Sequence, residues 1–224
     1  MLAVFETSNS SVPLFFFVYD RVTSGKASDQ KTFLLHTVNE PTVSGNTVTA
    51  THEDGGKLVL QSVIGGDKIE KIGGADKNYV VNGSQVATKS GQDDGYWGRV
   101  EISPATGNTT DTMLNVMYVT SKSSSPSLTA KSFRTDKVAG AIMGSVAAVF
   151  VEDEVRYGEA FAFTAPNTGS SSATVTYYVS GVKAGTWTVN YGTTTVTATA
   201  TEDGGLLVFK APAGTEITLA PSQA

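Results

Sequence analysis

The chain has 224 residues, a length that fits one large β domain or a medium domain with a smaller one. Its formal net charge is −5, which excludes nucleic acid as the main partner because phosphate binding needs a clustered excess of Lys and Arg. The chain has no cysteine, which excludes disulfides, thiolate metal sites and thiol nucleophiles and leaves the compartment open.

The N-terminal region does not resemble a targeting or membrane segment. Glu6 and several serines stand where a signal peptide has a basic region, and the apolar run comes late. That run, Leu14–Tyr19, is far too short to cross a bilayer. We therefore expect no membrane partner.

The hydrophobic pattern predicts an all-β protein with little or no helix. Apolar residues alternate with polar ones or form short runs, and turn sequences such as Ser-Gly-Asn and Asp-Gly-Gly separate them. Many short strands with such turns are typical of an antiparallel β-sandwich. The predicted strands are Leu14–Val22, Thr32–Val38, Thr47–His52, Lys57–Val63, Tyr79–Val81, Gly98–Ile102, Met113–Thr120, Ala139–Met143, Ala147–Val151, Glu159–Thr164, Thr174–Ser180, Gly185–Asn190, Thr194–Ala200, Leu206–Lys210 and Thr215–Leu219.

A polar, Gly-containing segment, Thr164–Ser172, is typical of a linker and divides the predicted strands. We therefore expect a main sandwich over residues 1–165. The strands of residues 166–224 either close this sandwich or form a small second sheet.

Two segments of the chain repeat one pattern. VTATHEDGGKLVL (Val48–Leu60) resembles VTATATEDGGLLVF (Val196–Phe209), and His52 in the first corresponds to Thr201 in the second. Each segment predicts a strand, an Asp-Gly-Gly turn and a second strand. Hairpin chemistry therefore accounts for the Glu-Asp-Gly-Gly residues that follow His52.

The two histidines are the first candidates for chemistry. His36 lies inside an apolar strand, either as a core residue hydrogen-bonded to the backbone or as a metal ligand or acid–base group. If strands 32–38 and 47–52 pair antiparallel, His36 and His52 approach one point and Asp54 adds a carboxylate. Two histidines and one aspartate form a reasonable zinc set.

A second candidate lies in Gln92–Glu101, QDDGYWGRVE. Tyr96 and Trp97 offer aromatic faces on which a sugar ring stacks, and Arg99 offers a bidentate grip on a carboxylate. The competing interpretation is an ordinary strand with one aromatic side chain facing inward.

Several motifs in order resemble the β-sandwich part of heparinase II/III-like polysaccharide lyases, whose relatives include alginate and oligoalginate lyases. They cover roughly residues 14–120 and read VYDRVTS, KTFLLHTVNEP, GGKLVLQSVIGG, KIGG and YWGRVEISP. Later residues are similar in general β character, and SGVKAGTWTV suits the end of such a sandwich.

The resemblance implies β-elimination on a uronic-acid polysaccharide such as alginate, in a cleft between the sandwich and an (α/α) toroid. His36 matches the family's strand histidine, at the cleft or on a zinc ion, and His52 or Asp54 matches the hairpin ligand. The chain departs from the pattern because it has no toroid sequence and no histidine after His52. Asp93 or Asp94 would have to replace the missing ligand.

The sequence leaves several functions open. In the first, His36 and Tyr96 provide acid–base catalysis, Trp97 and Arg99 bind substrate, and a zinc ion is a candidate cofactor. The alternatives are a non-catalytic carbohydrate-binding module and a structural sandwich that docks a separate (α/α) toroid chain. We expect an acidic polysaccharide or oligosaccharide as the partner and an extracellular or periplasmic location.

Overall fold

The computed structural model describes residues 1–7, 9–75, 77, 79–81, 83–86, 97–153, 156–168 and 173–222. These residues contain many strands and no helix, as the alternating sequence predicts. No helix able to span a membrane occurs among them. The chain divides into two compact units, Met1–Ser127 and Leu128–Ala224.

The first unit contains eleven strands in the described residues. They are β1 (Leu2–Glu6), β2 (Leu14–Thr23), β3 (Phe33–Thr37), β4 (Thr42–Ser44), β5 (Thr47–Thr51), β6 (Gly56–Ile64), β7 (Lys68–Gly73), β8 (Val80–Val81), β9 (Ser84–Gln85), β10 (Gly98–Ser103) and β11 (Thr110–Ser121). A six-stranded sheet has the order β1-β2-β11-β6-β5-β4, and a three-stranded sheet has the order β3-β10-β7. β8 and β9 form a separate hairpin.

The two larger sheets of the first unit pack face to face. Val48, Leu60 and Met117 from the six-stranded sheet form one apolar cluster with Val100 and Ile102 from the three-stranded sheet. The first unit is therefore a β-sandwich, and its three-stranded sheet has an inner face on this core and an outer face turned away from it.

The second unit contains nine strands in the part of the chain that the structure describes. They are β12 (Lys131–Arg134), β13 (Val138–Met143), β14 (Val146–Val151), β15 (Phe161–Thr164), β16 (Thr174–Ser180), β17 (Gly185–Tyr191), β18 (Thr194–Ala200), β19 (Leu206–Pro212) and β20 (Glu216–Pro221). They form a five-stranded sheet, β12-β13-β14-β16-β19, and a four-stranded sheet, β15-β20-β17-β18. All pairs are antiparallel except β14 with β16.

A separate apolar core lies between the two sheets of the second unit. Tyr177 and Leu207 of one sheet and Trp187, Phe163 and Leu219 of the other belong to a single buried cluster. Burial raises the pKa of the Tyr177 hydroxyl to about 12, so this tyrosine is a neutral core residue. The second unit is thus a β-sandwich as well.

The boundary along the chain between the two compact units lies between Ser127 and Leu128, whereas it was expected between residues 165 and 166. The linker-like composition after Thr164 does not mark a division in the structure. Phe161–Thr164 pairs with β20 in one sheet, and Phe163 and Ala165 lie in the core of the second unit. The C-terminal strands therefore form a sandwich with the strands of residues 131–164.

Strands 32–38 and 47–52 do not pair, so the condition on which the zinc set depended is not met. β3 pairs with β10, and β5 pairs with β4 and β6 in the other sheet. The reason is the short, unpredicted strand β4, which follows β3 and forms a hairpin with β5.

Candidate functional site

The outer face of the three-stranded sheet carries His36 and Arg99 side by side. His36 lies on β3 and is directly opposite Arg99 on β10 in the antiparallel register. Side chains alternate along a strand, so the neighbours Leu35 and Val100 point inward to the core while His36 and Arg99 point outward. His36 is exposed, and the interpretation of this histidine as a core residue is wrong.

A cavity of about 550 Å³ lies on this outer face, at residues of β3, β7, β8 and β10. Its polar lining combines an imidazole, a guanidinium, a carboxylate, an amide and a hydroxyl, and its apolar lining is aliphatic. The lining residues are Gln30, Thr32, Leu34, His36, Ile72, Val80, Val81, Gly83, Arg99 and Glu101. We call this space the outer-face cavity.

Arg99 and Glu101 form an ion pair inside this cavity. They are two residues apart on β10, so both side chains project from the same face. Arg99 Nη2 and Nε lie 2.6 and 2.7 Å from Glu101 Oε1, and the side chains are 11% and 19% exposed. The pair is sheltered from water, which strengthens it relative to an exposed pair.

The turn that joins β5 to β6 holds the second histidine. The Nδ1 atom of His52 accepts a hydrogen bond from the backbone N–H of Asp54 at 3.2 Å, and lies 3.2 Å from the Asp54 carboxylate. The carbonyl of His52 accepts a second bond from Gly55 N–H. His52 therefore caps its own turn.

The repeated segment in the second unit uses threonine for the same task. Thr201 Oγ1 accepts a hydrogen bond from Gly204 N–H, and its carbonyl accepts one from Gly205 N–H. The two repeated segments differ beyond the turn. The strands β5 and β6 pair in one sheet, whereas β18 and β19 belong to two different sheets. This parallel supports a structural role for His52.

His36 and His52 line one further pocket, of about 320 Å³, which Asp54 does not line. No group of three or more His, Asp or Glu in the described ranges is arranged to hold a metal ion. Because His52 Nδ1 is already occupied by the turn and tetrahedral zinc needs several ligands at about 2.0–2.3 Å, His36, His52 and Asp54 as placed do not fit a zinc site.

Trp97 lies on the other side of the three-stranded sheet from Arg99. A methyl group added at Gly73 would lie 2.6 and 2.7 Å from two carbons of the Trp97 ring, and the Lys71 ammonium lies 5.7 Å from its centroid. Residues 71 and 73 share one face of β7, while Arg99 pairs with Ile72 on the opposite face. Trp97 and Arg99 are therefore not brought together as one sugar platform.

The remaining predicted positions, Tyr96, Asp93 and Asp94, lie outside the described residues. Arg99 was a predicted site residue, but its partner Glu101 was not predicted. The signal was present, since a strand places residues two apart on the same face and these two carry opposite charges.

A sequence model of the heparinase II C-terminal domain family matches residues 132–221. The match begins in β12 and ends in β20, so it spans the second sandwich from its first strand to its last. The motifs that resemble heparinase II/III-like lyases lie before it, in roughly residues 14–120. A comparison with curated proteins found none that matches the chain.

The matched range coincides with the two sheets of the second unit, which contain no helix in the described residues. Residues 132–221 match the heparinase II C-terminal domain, and the β-sandwich that they form agrees with a heparinase II/III-like sandwich domain.

Proposed function

We propose that the chain acts on uronic-acid polysaccharides such as alginate by β-elimination, and that the substrate binds in the outer-face cavity. The observation that carries the proposal is the pair of His36 and Arg99, which face the same cavity from directly opposite positions on β3 and β10. A histidine next to a carboxylate-binding cation is the minimum that this reaction needs from a protein.

In β-elimination a base removes the proton at C5 of the uronate, the bond between C4 and the bridging oxygen breaks, and that oxygen takes up a proton. The electron pair of the C5–H bond becomes the new C4–C5 double bond. An imidazole accepts and donates protons near neutral pH, so His36 is the proposed acid–base group. Tyr96 is the proposed second group.

Arg99 has the chemistry to bind the uronate carboxylate. Guanidinium groups form charge-assisted hydrogen bonds with carboxylates, and such bonds are strong where water is partly excluded. Neutralising the carboxylate makes the C5 proton more acidic, because negative charge develops beside it in the transition state. The Leu34 and Ile72 side chains on the same cavity offer apolar contacts for the C–H faces of the sugar ring.

The proposal includes the setting of the reaction. The partner is an acidic polysaccharide or oligosaccharide, and a separate (α/α) toroid chain would extend the cleft. A polysaccharide substrate favours an extracellular or periplasmic location. Zinc has no part in the proposed steps, because the histidines and Asp54 do not fit a zinc site.

The test is the ultraviolet absorbance of the unsaturated uronate, recorded with alginate, hyaluronan and heparin. We expect product from the wild-type chain and none from the His36→Ala variant. The matched control is His52→Thr, which keeps the turn cap in the form that Thr201 already uses and is expected to retain activity.

Two outcomes would contradict the proposal. One is folded wild-type protein that yields no product from any of the three polymers, and the other is undiminished activity in His36→Ala. Retention of a polymer in an affinity gel without product would instead favour the alternative, a non-catalytic carbohydrate-binding module. The Arg99–Glu101 ion pair gives that alternative its support, because a paired guanidinium with nearby amide and hydroxyl groups suffices for binding.

A further inference from the structure

Glu101 presents a problem for the proposed substrate. Its carboxylate lines the same cavity as His36 and Arg99 and has the same charge as a uronate. If charge alone decided binding, Glu101 would weaken it, because like charges in a sheltered site repel. The geometry of the Arg99–Glu101 pair indicates a different effect.

Glu101 fixes the plane of the Arg99 guanidinium. Both the Nε and the Nη2 groups of Arg99 donate to one oxygen, Glu101 Oε1, at 2.7 and 2.6 Å. Two bonds to one acceptor hold one edge of the fork, so the guanidinium cannot rotate freely about its last torsion. Since arginine binds carboxylates through a planar fork, orienting that plane in advance reduces the entropy lost on binding.

A second ion pair on the same face of the sheet has the same two-residue spacing, but it is exposed and lies outside the cavity. Lys68 and Glu70 lie two residues apart on β7, and Lys68 Nζ is 2.7 Å from Glu70 Oε2. Glu70 is directly opposite Glu101 in the register. Their side chains are 58% and 46% exposed, and neither residue lines the outer-face cavity. The Lys68–Glu70 pair is therefore a matched control for the Arg99–Glu101 pair.

We propose that Glu101 is a positioning residue, which orients Arg99 to receive the carboxylate of a uronate in the outer-face cavity. This inference rests on the proposed function and adds to it a residue that makes no contact with the reacting atoms. Glutamine at position 101 would still offer a side-chain oxygen to Arg99 without the negative charge, whereas alanine would offer none.

The test is the affinity of the full chain for alginate oligosaccharides, measured by titration calorimetry at one fixed salt concentration. We expect Glu101→Ala to weaken binding about tenfold, which corresponds to about 1.4 kcal/mol. Glu101→Gln should bind at least as tightly as the wild type, because it keeps the orientation and removes the repulsion. The control Glu70→Ala should leave the affinity unchanged.

Rescue by glutamine separates positioning from the other roles. Tighter binding by both Glu101→Ala and Glu101→Gln would mean that Glu101 only repels the ligand, and it would overturn the inference. Equal loss in both variants, or no change in Glu101→Ala, would overturn it too. Thermal melting of each variant shows whether it is folded at the assay temperature.

The wild-type titration separates this inference from the function on which it rests. A folded wild-type chain that binds no alginate oligosaccharide contradicts the proposed function, and the positioning role falls with it. A wild-type chain that binds, together with variants that do not follow the expected order, contradicts the role of Glu101 alone.

Discussion

At the scale of single residues, the Arg99–Glu101 pair makes a prediction about stability that is independent of any substrate. With side-chain exposures of 11% and 19%, removing one partner leaves the other charge sheltered and unpaired. We expect Arg99→Ala to lower the free energy of unfolding by about 1–3 kcal/mol, less than for a fully buried pair. Urea denaturation measures this change in the free energy of unfolding.

The double variant Arg99→Ala/Glu101→Ala serves as the control for this prediction. Because it leaves no unpaired charge, it should be more stable than Arg99→Ala alone, and the difference is the coupling between the two side chains. Additive losses in the double variant would show that the two groups do not interact, contrary to the geometry.

The ion pair of Lys31 and Asp111 predicts a pH dependence of stability. Lys31 Nζ lies 2.9 Å from Asp111 Oδ2, and the side chains are 4% and 9% exposed. The hydrogen bond from Lys31 lowers the pKa of Asp111 below its ordinary value of 3.8, with the Asn108 hydrogen bond and the Lys31 charge acting the same way against the opposing effect of burial.

Because the pKa of Asp111 is lowered in the folded chain, the unfolded chain binds more protons than the folded chain at a pH just below 3.8. The stabilisation is therefore complete above about pH 4–5 and is lost as the pH falls through the folded pKa. Asp111→Asn should cost about 3 kcal/mol at neutral pH, and its deficit relative to wild type should shrink below pH 3.8. Urea denaturation across this pH range measures the deficit, and a constant deficit would contradict the account.

At the scale of elements, the contact between β7 and β10 depends on two glycines. A methyl group added at Gly98, where φ is +152°, would lie 2.2 Å from the backbone oxygen of Ile72, and one added at Gly73 would meet the ring of Trp97. We expect Gly98→Ala to destabilise the chain by more than about 2 kcal/mol, measured by thermal or urea unfolding.

Gly56 is the matched control for this substitution. It also belongs to a strand, its φ is ordinary, and no atom lies within 4 Å of an added methyl group. Gly56→Ala should therefore change stability by no more than about 0.5 kcal/mol. Equal effects at Gly98 and Gly56 would mean that close backbone approach does not hold β7 against β10.

Long apolar or alternating segments could be predicted from the sequence, and each predicted strand corresponds to a strand of the structure. Five strands of the described residues were missed: β1, β4, β7, β9 and β12. Two of them carry weak signals, because β7 reads KIEKIG, with charges on both faces, and β4 has only three residues. Pairing is a non-local property, so alternation identified β3 and β5 as strands but could not give their partners.

The candidate site was predicted residue by residue and not as an arrangement. His36 and Arg99 were both predicted as site residues. They are 63 positions apart in the chain, and nothing in their local sequence indicates that they lie opposite each other on β3 and β10. Trp97 was grouped with Arg99 because they are near in sequence. The positive φ at Gly98 lies between them, and Trp97 packs on Gly73 instead.

At the scale of the whole molecule, the two units differ in what supports their assignment. The second unit contains the match to the heparinase II C-terminal domain, whereas the first contains the lyase-like motifs and the outer-face cavity. The boundary between them could not be predicted from composition, because the polar, Ser-rich residues 165–172 follow a strand that is part of the second sandwich.

The most direct test of the central claim is a crystal structure of the chain with a bound alginate oligosaccharide. We predict a uronate in the outer-face cavity, with its carboxylate at about 2.7–2.9 Å from the Arg99 guanidinium and its C5 facing His36. A ligand bound elsewhere on either unit, or an outer-face cavity that stays empty at saturating oligosaccharide, would contradict the claim.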